Sequence, residues 1–186
     1  MPQRRVCPWW MGYFLASPVR RLWYTPGSLV AAHLKPGMTV LEPGPGMGFF
    51  TIEMARLVGA GGRVVAVDIE RKMLDVLMRR AAKAGVADRI DARACAPDSM
   101  GLAGLAGRVD FVFVCAVVHE LPNQEIFFRE TAQAMKPGAA LLLVEPSGHV
   151  SEHEFDQELK LAGAAGLQIE RQVTIRRSHA ALLKKS

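Results

Sequence analysis

Three glycines separated by single residues, Gly44, Gly46 and Gly48, stand between two acids, Glu42 before them and Asp68 after them. The apolar run Thr39-Val40-Leu41 leads into the glycine turn, the turn opens a helix, and a second apolar run, Val64-Val65-Ala66-Val67, ends in Asp68. Glycine lets the backbone turn sharply and approach a ligand with no Cβ in the way. An acid at the tip of the second strand is placed to accept hydrogen bonds from the two hydroxyls of a ribose. A strand, a glycine turn, a helix, a strand and a terminal acid together point to a bound nucleoside.

The spacing narrows which nucleoside. A dinucleotide fingerprint reads G-x-G-x-x-G, and from Gly44 and Gly46 its third glycine would fall on Phe49. Pro43 and Pro45 also remove two N–H donors from the turn, which suits a pyrophosphate poorly. The pattern E-x-G-x-G-x-G from Glu42 instead resembles the first motif of the class I S-adenosylmethionine-dependent methyltransferases, and Asp68 resembles the acid of their second. The resemblance implies S-adenosylmethionine as cofactor, with Glu42 near its methionine end, the three glycines beneath it, Asp68 on the ribose and Ile69 against the adenine. It also brings Cys95, Ala96 and Cys115, at the third and fourth strand ends, beside the cofactor. In that family an acid near the third strand end often receives the adenine amino group. Here Cys95 and Ala96 stand there, and Asp98 follows only after Pro97, so a backbone-mediated contact is expected.

Methyl transfer from a sulfonium needs an aligned acceptor, exclusion of water and, for some acceptors, removal of a proton. The fourth strand end reads Cys115-Ala116-Val117-Val118-His119-Glu120. His119 is the candidate base or acceptor-orienting residue, because the methyl group points to that strand end in the family; the alternative is a loop histidine bonded to backbone. Glu145 and His149, at the fifth strand end, are second candidates, against the alternative that a polar residue there caps the next helix. Ser151 with Glu154 reads as a capping box, which puts His153 in the first helical turn facing solvent.

No metal is expected, since the only His-x-x-x-His pair, His149 and His153, straddles a helix start. The Val-Val-His-Glu segment is similar to the ubiquinone-biosynthesis and arsenite methyltransferase branch. Cys7, Cys95 and Cys115 could converge on arsenic, yet the chain lacks that subfamily's paired cysteines, and small buried cysteines are the simpler expectation. The aromatics Trp9, Trp10, Tyr13, Phe14, Trp23 and Tyr24 would line an acceptor pocket if residues 1–37 fold back as a lid, with Trp9, Tyr13 and His149 as candidate acceptor contacts.

Positioning these groups requires an alternating strand–helix chain. Strands are expected at 38–43, 63–68, 90–95, 109–116 and 139–145, with helices at 48–59, 70–84, 98–105, 123–135 and 151–165. Lys136-Pro137-Gly138 is read as a break, and two last strands, 167–175 and 178–184, as a hairpin about Arg176-Arg177-Ser178. In residues 1–37, helices are expected over 17–24 and 29–34. The fold class is therefore α/β, a doubly wound, mostly parallel seven-stranded sheet of the Rossmann-like methyltransferase type. A terminal antiparallel hairpin and an N-terminal helical lid (residues 1–37) complete it, with residues 38–186 as the core.

Composition is compatible with this. Half of the 186 residues are hydrophobic, enough for one sizeable core, and no apolar run reaches the ~18 residues of a membrane span. The twin arginines Arg4-Arg5 before an apolar run resemble a leader only superficially. Three cysteines without a C-x-x-C pair indicate a reducing compartment, hence a cytoplasmic location. The net charge of +5 is spread in pairs, which disfavours a nucleic-acid partner, as does the absence of a Pro-Cys or D/N-P-P-Y/F motif. The expected activity is methyl transfer to a small-molecule acceptor, compatible with a homodimer. The alternatives are a non-catalytic S-adenosylmethionine-binding scaffold and an NAD(P)-dependent oxidoreductase.

Overall fold

The computed structural model describes residues 26–186. Seven strands form among them, distributed over two compact units, residues 26–95 and Ala96–Ser186. The expected helix at 17–24, the six lid aromatics and Cys7 lie outside the described residues.

The first unit runs α1 (Pro26–Val30), β1 (Thr39–Pro43), α2 (Thr51–Val58), β2 (Arg63–Asp68), α3 (Arg71–Lys83) and β3 (Ile90–Ala94). Its strands are parallel in the order β3-β2-β1, with Glu42 beside Ala66 and Asp68 beside Ala94. Val64 to Val67 are buried on both faces, which is why β2 reads as an unbroken apolar run. Helix α3 buries Met73, Leu74, Leu77 and Ala81, the i, i+1, i+4, i+8 stripe that faces β3. On β3, Arg93 donates to Asp91 at 2.7 Å, which holds the Asp91 carboxyl below its usual range and raises Arg93.

The second unit runs β4 (Val109–Cys115), α4 (Gln124–Ala134), β5 (Met135–Pro146), α5 (Glu152–Ala164), β6 (Leu167–Gln172) and β7 (Ser178–Lys185). Strand β4 is parallel to β5, and β7 lies antiparallel between β5 and β6. Phe111, Phe113, Phe128 and Leu141 to Leu143 fill its core. The mostly parallel α/β fold class with a terminal antiparallel hairpin is as expected.

Strand β6 ends at Gln172 rather than 175, where its ladder with β7 stops, and four other boundaries differ from the sequence reading. Helix α1 starts at Pro26 and ends at Val30, earlier than 29–34, because Pro26 takes the first helical position. Helix α2 starts at Thr51, not 48, since Gly48 at φ 80 holds the turn open until Phe50. The expected helix at 98–105 is reduced to a 3₁₀ turn, Ala103–Leu105. There Glu130 accepts from Ser99 Oγ and Met100 N–H, both at 2.7 Å, and Gly101 is left-handed at φ 66. Strand β5 begins at Met135 and runs through Lys136-Pro137-Gly138 rather than after it. Met135 pairs with Val109 and Ala140 with Phe111, so the proline sits in a bulge where no ladder N–H is required.

The capping box is present in full. Ser151 accepts from Glu154 N–H at 3.3 Å, and Glu154 accepts from Ser151 N–H at 2.9 Å. Ser151→Ala is expected to destabilise the fold by about 1 kcal/mol, read as a drop of about 2–4 °C in thermal melting. His153 is exposed in the first turn of α5, as the box implies.

Candidate active site

In the first unit the glycine turn is built by backbone geometry. Gly44, Gly46 and Gly48 have φ of 64, 53 and 80, a region that costs other residues roughly 1–2 kcal/mol each. Each of their N–H groups has an internal acceptor. Gly44 donates to Val67 O at 2.9 Å, Gly46 to Asp68 Oδ2 at 3.3 Å and Gly48 to Pro45 O at 3.0 Å. Pro43 and Pro45 have no N–H, and Arg80, reaching over from α3, donates to the Met47 carbonyl. The turn is thus a braced platform whose three glycine N–H donors are already engaged.

Asp68 closes it. Its Oδ1 accepts from Glu70 N–H at 2.9 Å and its carbonyl from Cys95 N–H at 3.0 Å, so the tips of β1, β2 and β3 are tied together. The carboxylate is half-buried, Ile69 beside it is exposed, and Glu42 is buried with its side chain at the end of β1. A Cβ on Gly46 would meet only Met73 Sδ, at 3.8 Å, so the turn's outer face has room, whereas a Cβ on Gly48 would strike Leu77 Cγ at 2.9 Å. Glu42, Gly44, Gly46, Gly48, Asp68, Ile69 and Cys95 therefore share one end of the first unit.

In the second unit, Ala96 bridges to Ser99, and Cys115 ends β4, half-buried. The next residue, Ala116, has φ 59, a conformation an alanine takes only under constraint, at a cost of order 1–2 kcal/mol. The turn it makes aims two successive N–H groups at one carboxylate oxygen. Glu145 Oε1 accepts from Val117 at 3.2 Å and from Val118 at 2.8 Å. The other oxygen, Oε2, lies 2.5 Å from His119 Nδ1. The Glu145 side chain is 0% exposed and that of His119 16%. His149, exposed, stands edge-on to His119 with ring centroids 5.7 Å apart, and Glu120 Oε1 is 3.9 Å from His119 Nε2.

Two expectations change here. His119 bonds to a buried carboxylate, not to backbone, and Glu145 reaches back to the end of β4 instead of capping the next helix, which Ser151 and Glu154 do. The strained Ala116, the Arg80 brace and the Gln124 side-chain bond to Val118 O at 2.9 Å carried no sequence signal. Trp9 and Tyr13 lie outside the described residues. Among the described residues, no group of three or more His, Cys, Asp or Glu is arranged to hold a metal ion.

Residues 34–176 match the model of a family described as "Methyltransferase domain". The chain belongs to that family. The methyltransferase domain is 27% identical over 135 residues to the ubiquinone/menaquinone biosynthesis C-methyltransferase of Cellvibrio japonicus, covering 73% of this chain and 53% of the relative. The chain thus spans about half the length of the curated relatives it matches. Among solved structures, a SAM-dependent methyltransferase from Aquifex aeolicus is 25% identical with a TM-score of 0.86, covering 97% of this chain and 100% of its own. The geranyl diphosphate C-methyltransferase of Streptomyces coelicolor A3(2), solved with S-adenosyl-L-homocysteine, is 16% identical with a TM-score of 0.70, covering 89% of this chain and 80% of its own. That second likeness speaks for the fold alone.

Proposed function

We propose that this chain is an S-adenosylmethionine-dependent methyltransferase acting on a small-molecule acceptor, with residues 38–186 as its core and 1–37 as a lid. The observation that carries the reading is the glycine turn whose three glycine N–H groups are committed internally, that of Gly46 to Asp68. A pyrophosphate needs those donors directed at its oxygens. A nucleoside joined to an amino acid needs a ribose acid, room for backbone approach and an anion for its ammonium, and the residues present fit that need.

Asp68 accepts the ribose hydroxyls, Ile69 offers its exposed apolar side to the adenine, and Cys95, Ala96 and Cys115 border the cofactor at their strand ends. Glu42 supplies the negative charge for the ammonium end. When bound, S-adenosylmethionine supplies an activated methyl group on a sulfonium. His119 orients the acceptor, and Trp9, Tyr13 and His149 contact it. The family match and the Aquifex aeolicus likeness support the cofactor, and the Cellvibrio japonicus relative supports a small-molecule acceptor. Among the described residues no helix is long and apolar enough to cross a membrane; the sparse cysteines support a cytoplasmic location.

Calorimetric titration tests the reading. Purified protein should bind S-adenosylmethionine and S-adenosylhomocysteine with micromolar affinity and leave NADH unbound. Binding of NADH alone would return the chain to dinucleotide chemistry. Binding of none would favour a scaffold without cofactor.

A further inference from the structure

The buried Glu145 carboxylate does more than an isolated turn requires. Two backbone N–H groups on Oε1 fix its orientation, and Ala116 is held in a left-handed conformation to bring them there. A carboxylate accepting two such bonds is an acceptor, so His119 Nδ1–H donates to Oε2 across the 2.5 Å contact. The lone pair of the ring then lies on Nε2. That is the tautomer of a proton acceptor, held by a third group as in nucleophile–base–orienter sets.

Resting on the methyltransferase reading above, we infer that Glu145 is a positioning residue that fixes His119 to receive the proton of a weakly acidic acceptor hydroxyl, a phenol or an enol. Free imidazole titrates near ~6.5 and a phenol near ~10, whereas bulk water is far less acidic than either. Proton transfer from a phenol to imidazole is thus within reach of a positioned base, and transfer from an unactivated hydroxyl is far less so. A tertiary amine or a thioether has no proton to give, and a site built for one has no use for this arrangement.

The step balances. The acceptor oxygen, or the carbon conjugated to it, bonds to the methyl carbon; the carbon–sulfur bond breaks with its electron pair left on sulfur. The hydroxyl proton ends on His119 Nε2. One positive charge is lost at sulfur and one appears on the imidazolium, which faces Glu145 at Nδ1 and Glu120 at 3.9 Å from Nε2, with the His149 ring at 5.7 Å.

The test uses 4-nitrophenol, whose phenolate absorbs in the visible, added to the S-adenosylhomocysteine complex of the full chain below the pH at which the free phenol ionises. The wild type should bind it as phenolate. Long-range ¹H–¹⁵N spectra should report His119 as the Nδ1–H tautomer. Glu145→Gln keeps an oxygen for Val117 and Val118 but turns an amide N–H toward Nδ1, so the ring should switch to Nε2–H. Both Glu145→Gln and His119→Ala should keep S-adenosylhomocysteine affinity while the phenolate signal falls at least about tenfold, and turnover with a phenolic acceptor should fall about 10²–10⁴-fold. If Glu145→Gln does not fold, the wild-type tautomer and His119→Ala carry the test.

A wild-type Nε2–H tautomer, no phenolate in the wild-type complex, or a phenolate signal unchanged in His119→Ala would each overturn the proposal. Loss of S-adenosylhomocysteine binding by the wild type is a different failure, of the cofactor reading, and removes the proposal with it.

Discussion

Gly62→Ala is expected to lower the unfolding free energy by about 3–5 kcal/mol. Gly62 sits where the chain leaves α2 and enters β2. A Cβ there would lie 2.5 Å from Val58 Cβ, 2.7 Å from Val58 O and 2.8 Å from Met38 O. Two of these are backbone atoms and the third begins a fully buried side chain, so no rotamer change relieves the contact. Relief requires moving the end of α2 or the start of β1. Gly37 N–H to Val58 O at 2.8 Å ties the end of α2 to the chain entering β1, and Arg63 N–H to Met38 O at 2.9 Å ties that chain to the start of β2. Overpacking of this kind costs about 1–3 kcal/mol or more, and weakening two hydrogen bonds adds about 1 kcal/mol each. Against a typical total of roughly 5–15 kcal/mol this is a severe loss, and the melting temperature should fall by about 10 °C or more.

The neighbouring glycine supplies the control. A Cβ on Gly61 would meet only Gly37 Cα, at 3.9 Å, and Gly61 has no left-handed φ. Gly61→Ala should therefore stay within about 0.5 kcal/mol of wild type. Equal melting of the two variants would show that the crossing of α2 and β1 yields easily, and that the close contact at Gly62 carries no weight.

The contrast between these glycines explains what the sequence could convey. Gly59-Ala60-Gly61-Gly62 reads as a helix stop, and Gly59 at φ 67 suits one, but the need for Gly62 comes from Val58 and the Met38 carbonyl crowding it, which no local pattern announces. Gly44, Gly46 and Gly48 were legible as a sharp turn because their alternation is a local pattern and local patterns follow backbone sterics. The strands were legible for the same reason: Val64 to Val67 and Phe111 to Val114 are apolar on both faces because both faces are covered. Strand β5 was misplaced at its start because Pro137 and Gly138 are locally a break, whereas Val109 holds Met135 in the ladder from a distance. At the site, His119 and Glu145 were each legible as polar residues at strand ends. Their 2.5 Å contact was not, since it depends on a left-handed alanine that no local preference announces.

Asp68→Ala should weaken S-adenosylmethionine binding about 100-fold, which is about 3 kcal/mol. The carboxylate is half-buried and already accepts Gly46 N–H at 3.3 Å on Oδ2 and Glu70 N–H at 2.9 Å on Oδ1. An ionised carboxylate offers about four lone-pair sites, so it can accept from ribose hydroxyls as well as from backbone N–H groups. Hydrogen bonds to a charged acceptor contribute about 1.5–3 kcal/mol each, and completing the removal of this carboxylate from water takes back part of that sum. The alanine variant also loses its hold on the glycine turn and on the first turn of α3, at about 1–2 kcal/mol of stability. It should melt only a few degrees lower and remain folded at the temperature of the titration.

The discriminating feature is that the ribose is common to substrate and product. Affinity for S-adenosylmethionine and for S-adenosylhomocysteine should therefore fall by the same factor, while the ratio between them stays at its wild-type value. A variant that melts as expected but binds both ligands with undiminished affinity would remove Asp68 from the cofactor. A loss confined to S-adenosylmethionine would move Asp68 from the ribose to the sulfonium, because the charge on sulfur is what separates the two ligands.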